Sequence, residues 1–197
     1  GHAALERADV GVFYMRWREP DAPTLRSLES YFGSGRPIVG LRTSTHMLRA
    51  PASPDGSEAP MNNDWPTRIF GQRWISHHGH DSRTRVLAPP ESARTHPILR
   101  GFSGDFVVRS WLYDVEPLPK DCVVLLWGEV IREGESNGTP AKRMAFTTLG
   151  HPADFESREI RRLVEQMILW AAGQESAIPE DGVAAMPPEP YVAPPTR

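Results

Sequence analysis

Chemistry-bearing side chains gather in four short stretches. Arg42-Thr43-Ser44-Thr45-His46 puts a fixed positive charge, three hydroxyls and an imidazole within five residues. His77-His78-Gly79-His80-Asp81 holds three histidines in four positions, a set that could move a proton or ligate a metal. Arg16 and Arg18 could bind an anionic or hydroxyl-rich ligand, although a solvated rim reads equally well. His151 stands between Gly150 and Pro152, where a chain must stop. For the first stretch the plain alternative is a helix cap at Thr43 or Ser44, yet a flanking Arg and His exceed what capping needs.

Three of the stretches follow an apolar run that would position them, while His77–Asp81 lies in a Gly-containing loop with no apolar periodicity. Residues 9–15 read as a central parallel strand ending at the Arg16 loop, and 37–42 as a second strand running into the Arg42 stretch. Between them, 22–33 place Leu25, Leu28, Tyr31 and Phe32 on one helical face, with Gly33 and Gly35 closing the helix. This makes a βαβ unit, and ligands of open α/β sheets sit beyond the carboxyl ends of such strands. Further strands are expected at 84–89, within 106–113, at 121–128 and at 142–149, the last delivering His151 to a strand end. Cys122 then reads as a small apolar residue in mid-strand. Residues 48–66 form a long irregular excursion, 96–102 a turn and 134–140 a solvent loop. The clearest helix is 157–172, with Ile160, Leu163, Val164, Met167, Ile168 and Ala171 on one face.

The domain therefore spans 1–173, followed by a proline-rich extended tail over 174–197. Strand 9–15 begins eight residues from the start, so we expect preceding β-α units outside this chain and an unpaired edge, which invites self-association. The 197 residues, 39% hydrophobic and 24% charged, suffice for one large core. A net charge of −3 offers no basic field for nucleic acid, and no run is long enough to span a membrane. One cysteine excludes an internal disulfide and leaves the compartment open, cytoplasmic or exported behind a leader.

Taken as an ordered set, Gly-Leu-Arg-Thr-Ser-Thr-His at 40–46, His-His-Gly at 77–79, His-Pro-Ile-Leu-Arg-Gly at 96–101, Ser-Trp-Leu-Tyr at 110–113, Thr-Thr-Leu-Gly-His-Pro-Ala-Asp-Phe at 147–155 and Ile-Leu-Trp-Ala-Ala-Gly at 168–173 resemble the ThuA-like family, named for trehalose utilisation. The resemblance covers about 40–173. It implies a flavodoxin-like, doubly wound, mostly parallel sheet of the class I glutamine amidotransferase kind. Members of that superfamily carry Gly-x-Cys-x-Gly at the strand-to-helix elbow and His-Pro-Glu after a later strand. Here Arg42 stands at the cysteine position, and His151-Pro152-Ala153 keeps the histidine without the glutamate. Arginine stays protonated and cannot attack a carbonyl, so glutaminase chemistry is not expected. Asp154 is one residue further on and could orient His151 instead.

What remains suits acid/base work on a sugar or keto-sugar without a covalent intermediate. Arg42, His78 and His151 are the expected catalytic residues, with Thr43, Ser44, His46 and Arg16 binding substrate. Arg42 would stabilise an enolate or alkoxide while His151 or His78 moves a proton. We expect Arg42 and His151 to border one concave site reached by His78, with His46 turned either into it or into the following helix. No cofactor is expected, because His77, His78 and His80 lack a recognised metal-ligand spacing. The expected partner is a small carbohydrate, with neither nucleic acid nor membrane. Two alternatives stand beside this: a non-catalytic sugar-binding or assembly module with a degenerate amidotransferase site, and a metal-dependent hydrolase using His77–His80.

Overall fold

A computed structural model describes residues 2–49, 67–116, 119–132, 139–140, 147 and 149–188. Most of the 48–66 excursion, the 134–140 loop, the 142–149 strand and the end of the tail lie outside the described residues. The chain is mixed α/β. Strand β1 (Gly11–Phe13), helix α1 (Ala22–Gly33) and strand β2 (Ile38–Gly40) form a β-α-β unit with β1 and β2 parallel, Val12 opposite Val39. Asp21 caps α1 by accepting the Thr24 N–H at 2.9 Å, with Pro23 in the first turn. The Ser34 hydroxyl closes the other end on Tyr31 O at 2.6 Å. Leu28 and Tyr31 bury against Phe13, Met47 and Leu48 to make one core cluster. Gly11 permits this packing: a Cβ there would lie 2.8 Å from the Tyr31 ring, whose hydroxyl donates to Pro37 O.

Parallel pairing among the described residues is confined to β1–β2 and to single bridges, Arg18 with Leu48 and Leu41 with Thr147. The other ladders are antiparallel. Strand β3 (Arg73–His77) pairs with β6 (Tyr113–Glu116) across a bulge. Strand β4 (Ser82–Val86) lies between β5 (Phe106–Val108) and β7 (Gly128–Arg132), and β7 also pairs with β8 (Thr139–Pro140). Strand 9–15 shortens to β1, whose only ladder partner among the described residues is β2. Val12 and Tyr14 are each 45% exposed, so β1 is covered by α1 on one face and open on the other.

Residues 122–127 depart from the strand expected there: they form no ladder among the described residues, and Val123 is exposed. Leu125 and Leu126 do pack against the second core cluster. Their apolar run therefore reports burial by side chains, which periodicity cannot separate from pairing. Cys122 is accordingly not in mid-strand but just past a turn, with its N–H on Pro119 O at 3.3 Å.

That second cluster joins Val86, Ile98, Leu99, Val108 and Leu149 to Ile160 and Leu163 of helix α2 (Arg158–Ala171). A polar residue, Gln166, is fully buried on the same helix. Its Nε2 donates to Ile98 O and Arg100 O, and its Oε1 accepts the Val183 N–H at 2.9 Å. The described part of the tail is thereby held along α2. Arg162 donates to Val183 O, Arg161 to Met186 O, and Glu165 accepts the Met186 N–H. No helix among the described residues is long and apolar enough to cross a membrane.

Candidate functional site

At the end of β2 the chain turns sharply. Leu41 still pairs with β1 through Phe13 O, and the Arg42 N–H donates to Thr147 O on the other side, both at 2.9 Å. Arg42 then takes φ 46°, a left-handed conformation that costs a non-glycine residue about 1 kcal/mol or more. A 3-10 turn follows over Arg42–His46, every residue of it buried. Ser44 locks this elbow: its hydroxyl lies 2.6 Å from Phe13 O and 2.8 Å from Leu41 O, and it accepts the Leu41 N–H. Ser44 is thus occupied in holding backbone. Thr43 is buried beside it, and the Thr45 hydroxyl lies 3.5 Å from His46 Nδ1.

Arg42 is only 7% exposed and projects towards the loop after β5. Its Nη1 donates to Ser110 Oγ at 3.0 Å, and its guanidinium carbon lies 5.2 Å from the Trp111 ring centroid and 5.8 Å from that of Tyr113. Ser110 Oγ in turn donates to Asp154 Oδ2. Asp154, 2% exposed, accepts the Arg109 and Ser110 N–H groups on Oδ1 and those of Gly150 and His151 on Oδ2. This carboxylate welds the loop after β5 to the turn that carries His151. It holds the backbone of His151 rather than its ring. The imidazole caps the next turn, with Nδ1 accepting the Ala153 N–H at 3.1 Å, so the neutral ring carries its proton on Nε2. A Cβ at Gly150 would come within 3.6 Å of Arg42 Cβ, and His151 lines an open pocket of about 360 Å³ with His80, Asp81, Arg83, Arg109 and Trp111.

On the other side of Arg42 lies an aromatic wall. The His46 ring sits 5.0 Å from both Trp17 and Trp74 and 5.7 Å from Tyr113. Trp74 continues to His77, and His77 and His80 both pack on Trp111, His80 at 4.0 Å between centroids. Burial, helped by the neighbouring basic groups of Arg16, His77 and Arg42, lowers the pKa of His46 to about 4, so the His46 imidazole is neutral at pH 7. Burial raises Tyr113 and Tyr14, against an opposing pull from Arg42 in both cases. Among the described residues the indole Nε1 of Trp74 is buried with no hydrogen-bond partner, which is costly unless something fills it.

Arg42 and His151 therefore meet through Ser110 and Trp111. His46 and Arg16 lie on the Arg42 side, Arg16 exposed and acting on His46 through its charge. His78 joins the β3–β4 turn through its backbone: its N–H donates to Leu112 O and its carbonyl accepts the Ser82 hydroxyl. The rings facing Trp111 are those of His77 and His80. Ser110, Trp111, Tyr113, Trp17 and Trp74 escaped assignment from sequence. The one signal for them was the alternation in Ser-Trp-Leu-Tyr at 110–113, which puts Trp111 and Tyr113 on one side. Among the described residues no group of three or more His, Cys, Asp and Glu is placed to hold a metal.

No family model and no curated protein matches the chain. Among solved structures, the fold is similar to that of a protein from Bacteroides uniformis assigned as ThuA-like. The TM-score is 0.57 at 14% sequence identity, over 88% of this chain and 71% of the other.

Proposed function

We propose that this chain is a carbohydrate-binding, carbohydrate-processing protein of the ThuA-like, trehalose-utilisation type. In this reading its parallel strands belong to a flavodoxin-like, doubly wound sheet related to that of the glutamine amidotransferases. The fold likeness supports the architecture, and the site argues the chemistry. The observation that carries it is the strained, buried Arg42 at a strand-end elbow, flanked by aromatic faces and a neutral histidine. Aromatic faces bury the apolar side of a sugar ring, while the guanidinium, phenols and imidazoles take its oxygens. In a keto-sugar, Arg42 would stabilise negative charge developing on the carbonyl oxygen as an imidazole takes or returns the proton on the neighbouring carbon. His151, whose Nδ1 accepts from Ala153 and whose Nε2 therefore keeps the proton, donates to the carbonyl oxygen instead, and the His77 ring, with Nδ1 donating to His78 O, is the one with an unprotonated Nε2 for the carbon-bound proton. Attack by a thiol plays no part: position 42 is arginine, and Cys122 lines a different hollow, beside Ile38 and Trp170.

A binding module without turnover is the second reading. It is favoured by one feature: Asp154 grips the His151 backbone and leaves its imidazole without an orienting carboxylate. A screen of sugars and keto-sugars by tryptophan fluorescence, followed by proton-exchange and turnover assays on those that bind, separates the two. Exchange of the carbon-bound proton supports the enzyme. Binding without exchange supports the module, and no binding of any carbohydrate removes both.

A further inference from the structure

Cations outnumber acids in the site, Arg42 and Arg16 standing against the buried Asp154, whose charge reaches Tyr14 as well. Arg42 is buried and, among the described residues, forms no ion pair. The acid nearest to it in the bonding pattern, Asp154, is reached only through Ser110, and its two oxygens are already taken by four backbone N–H groups and a hydroxyl. The charged or titratable groups acting on His46 are Arg16, His77 and Arg42, all basic. The adjoining pocket adds Arg83 and Arg109 against one acid, Asp81. Donors also prevail over acceptors. Among the described residues the Trp74 indole N–H is buried and unpaired, and the guanidinium of Arg42 has five N–H groups, more than its bond to Ser110 consumes.

A neutral sugar brings no charge to these cations, and each of its hydroxyls carries a donor beside its acceptor oxygen. A carboxylate is acceptor-only, carries the missing charge and matches the planar guanidinium. We propose that the preferred ligand is a sugar acid, an aldonate or uronate, whose carboxylate lies against Arg42 within reach of Arg16, with Trp74 Nε1 donating to one of its oxygens. This rests on the carbohydrate reading above and narrows it.

Calorimetric titration of the chain with D-gluconate and D-glucuronate, against D-glucose and D-fructose, tests it. At least one acid should bind tenfold or more tightly than either neutral sugar, with an affinity that falls as salt rises. Arg42→Gln should bring the ratio close to one. Because a buried arginine can matter for folding, Arg16→Gln at an exposed position is the companion variant and should lower the ratio severalfold. Trp74→Phe, which keeps the ring and removes the donor, should weaken the acid more than the neutral sugar. Neutral sugars binding as well as the acids, or an acid preference untouched by Arg42→Gln and Arg16→Gln, would overturn the proposal and leave the carbohydrate reading in place. Failure of all four sugars to bind would sink both.

Discussion

Arg42 illustrates how a residue can be expensive and retained. Its left-handed φ and its burial both oppose folding, and what offsets them is a bond to Ser110 and contacts with the Trp111 and Tyr113 rings. Replacing Arg42 or His151 with Ala should lower binding or turnover of the responsive sugar tenfold or more, about 1.4 kcal/mol, with the melting temperature little changed. Full function in both variants would remove them from the site. His46 leaves a different signature. Its pKa is lowered to about 4 in the fold, against about 6.5 in an unfolded chain, so between those values the unfolded state binds more protons. Stability contributed by the neutral ring is complete above pH 6.5 and is lost as pH falls towards 4, by about 2 kcal/mol allowing for partial solvent access. His96, also lowered by burial, adds in the same direction. The groups opposing a charge on His46 are Arg16, His77 and Arg42, so the slope should shrink in His46→Gln. Denaturation midpoints at pH 4 to 7 would measure it, and equal slopes in the two proteins would refute the assignment.

At the scale of elements, two polar side chains do what apolar packing cannot. Asp154 joins the loop after β5 to the turn before α2 through five donors. In Asp154→Asn one acceptor becomes an NH2 facing backbone N–H groups, so the variant should lose about 3 kcal/mol in urea denaturation and release both Arg42 and His151. A loss below about 1 kcal/mol would mean the hub is dispensable. Gln166 holds the tail against α2 in the same manner. Gln166→Ala leaves Ile98 O, Arg100 O and Val183 N–H without that partner. Limited proteolysis should then cut between 179 and 188 at least tenfold faster than in the parent. Unchanged cutting would show that the arginine contacts to Val183 O and Met186 O suffice.

Over the whole molecule, the parallel β1–α1–β2 unit and the antiparallel β3–β7 strands converge on Arg42, one supplying the elbow and the other the wall of rings. Cys122 lies outside that convergence. Cys122→Ser should keep at least half of the wild-type binding or turnover, and a folded but inactive variant would restore thiol chemistry to consideration.

Legibility from sequence followed the range of the interaction involved. Local signals sufficed for α1 and α2, whose apolar spacing and caps lie within a few residues, and for the elbow, where an aliphatic run stops at Gly40-Leu41-Arg42. The same reading expected Arg42 and His151 at one rim; the described residues link the two through Ser110, and Arg42 is not among those lining the pocket beside His151. Strand pairing is non-local, which is why 121–128 reads like a strand yet 122–127 form no ladder among the described residues, and why most of the described ladders are antiparallel. The roles of the histidines were equally hidden. In a turn, the facing ring depends on backbone angles, so His77 and His80 rather than His78 meet Trp111. Composition identified which groups could act. Only the fold could decide that Asp154 is spent on backbone, that Ser44 is a lock, and that an indole N–H stands unpaired among the described residues beside His46, because each depends on neighbours as far as 45 residues away in the chain.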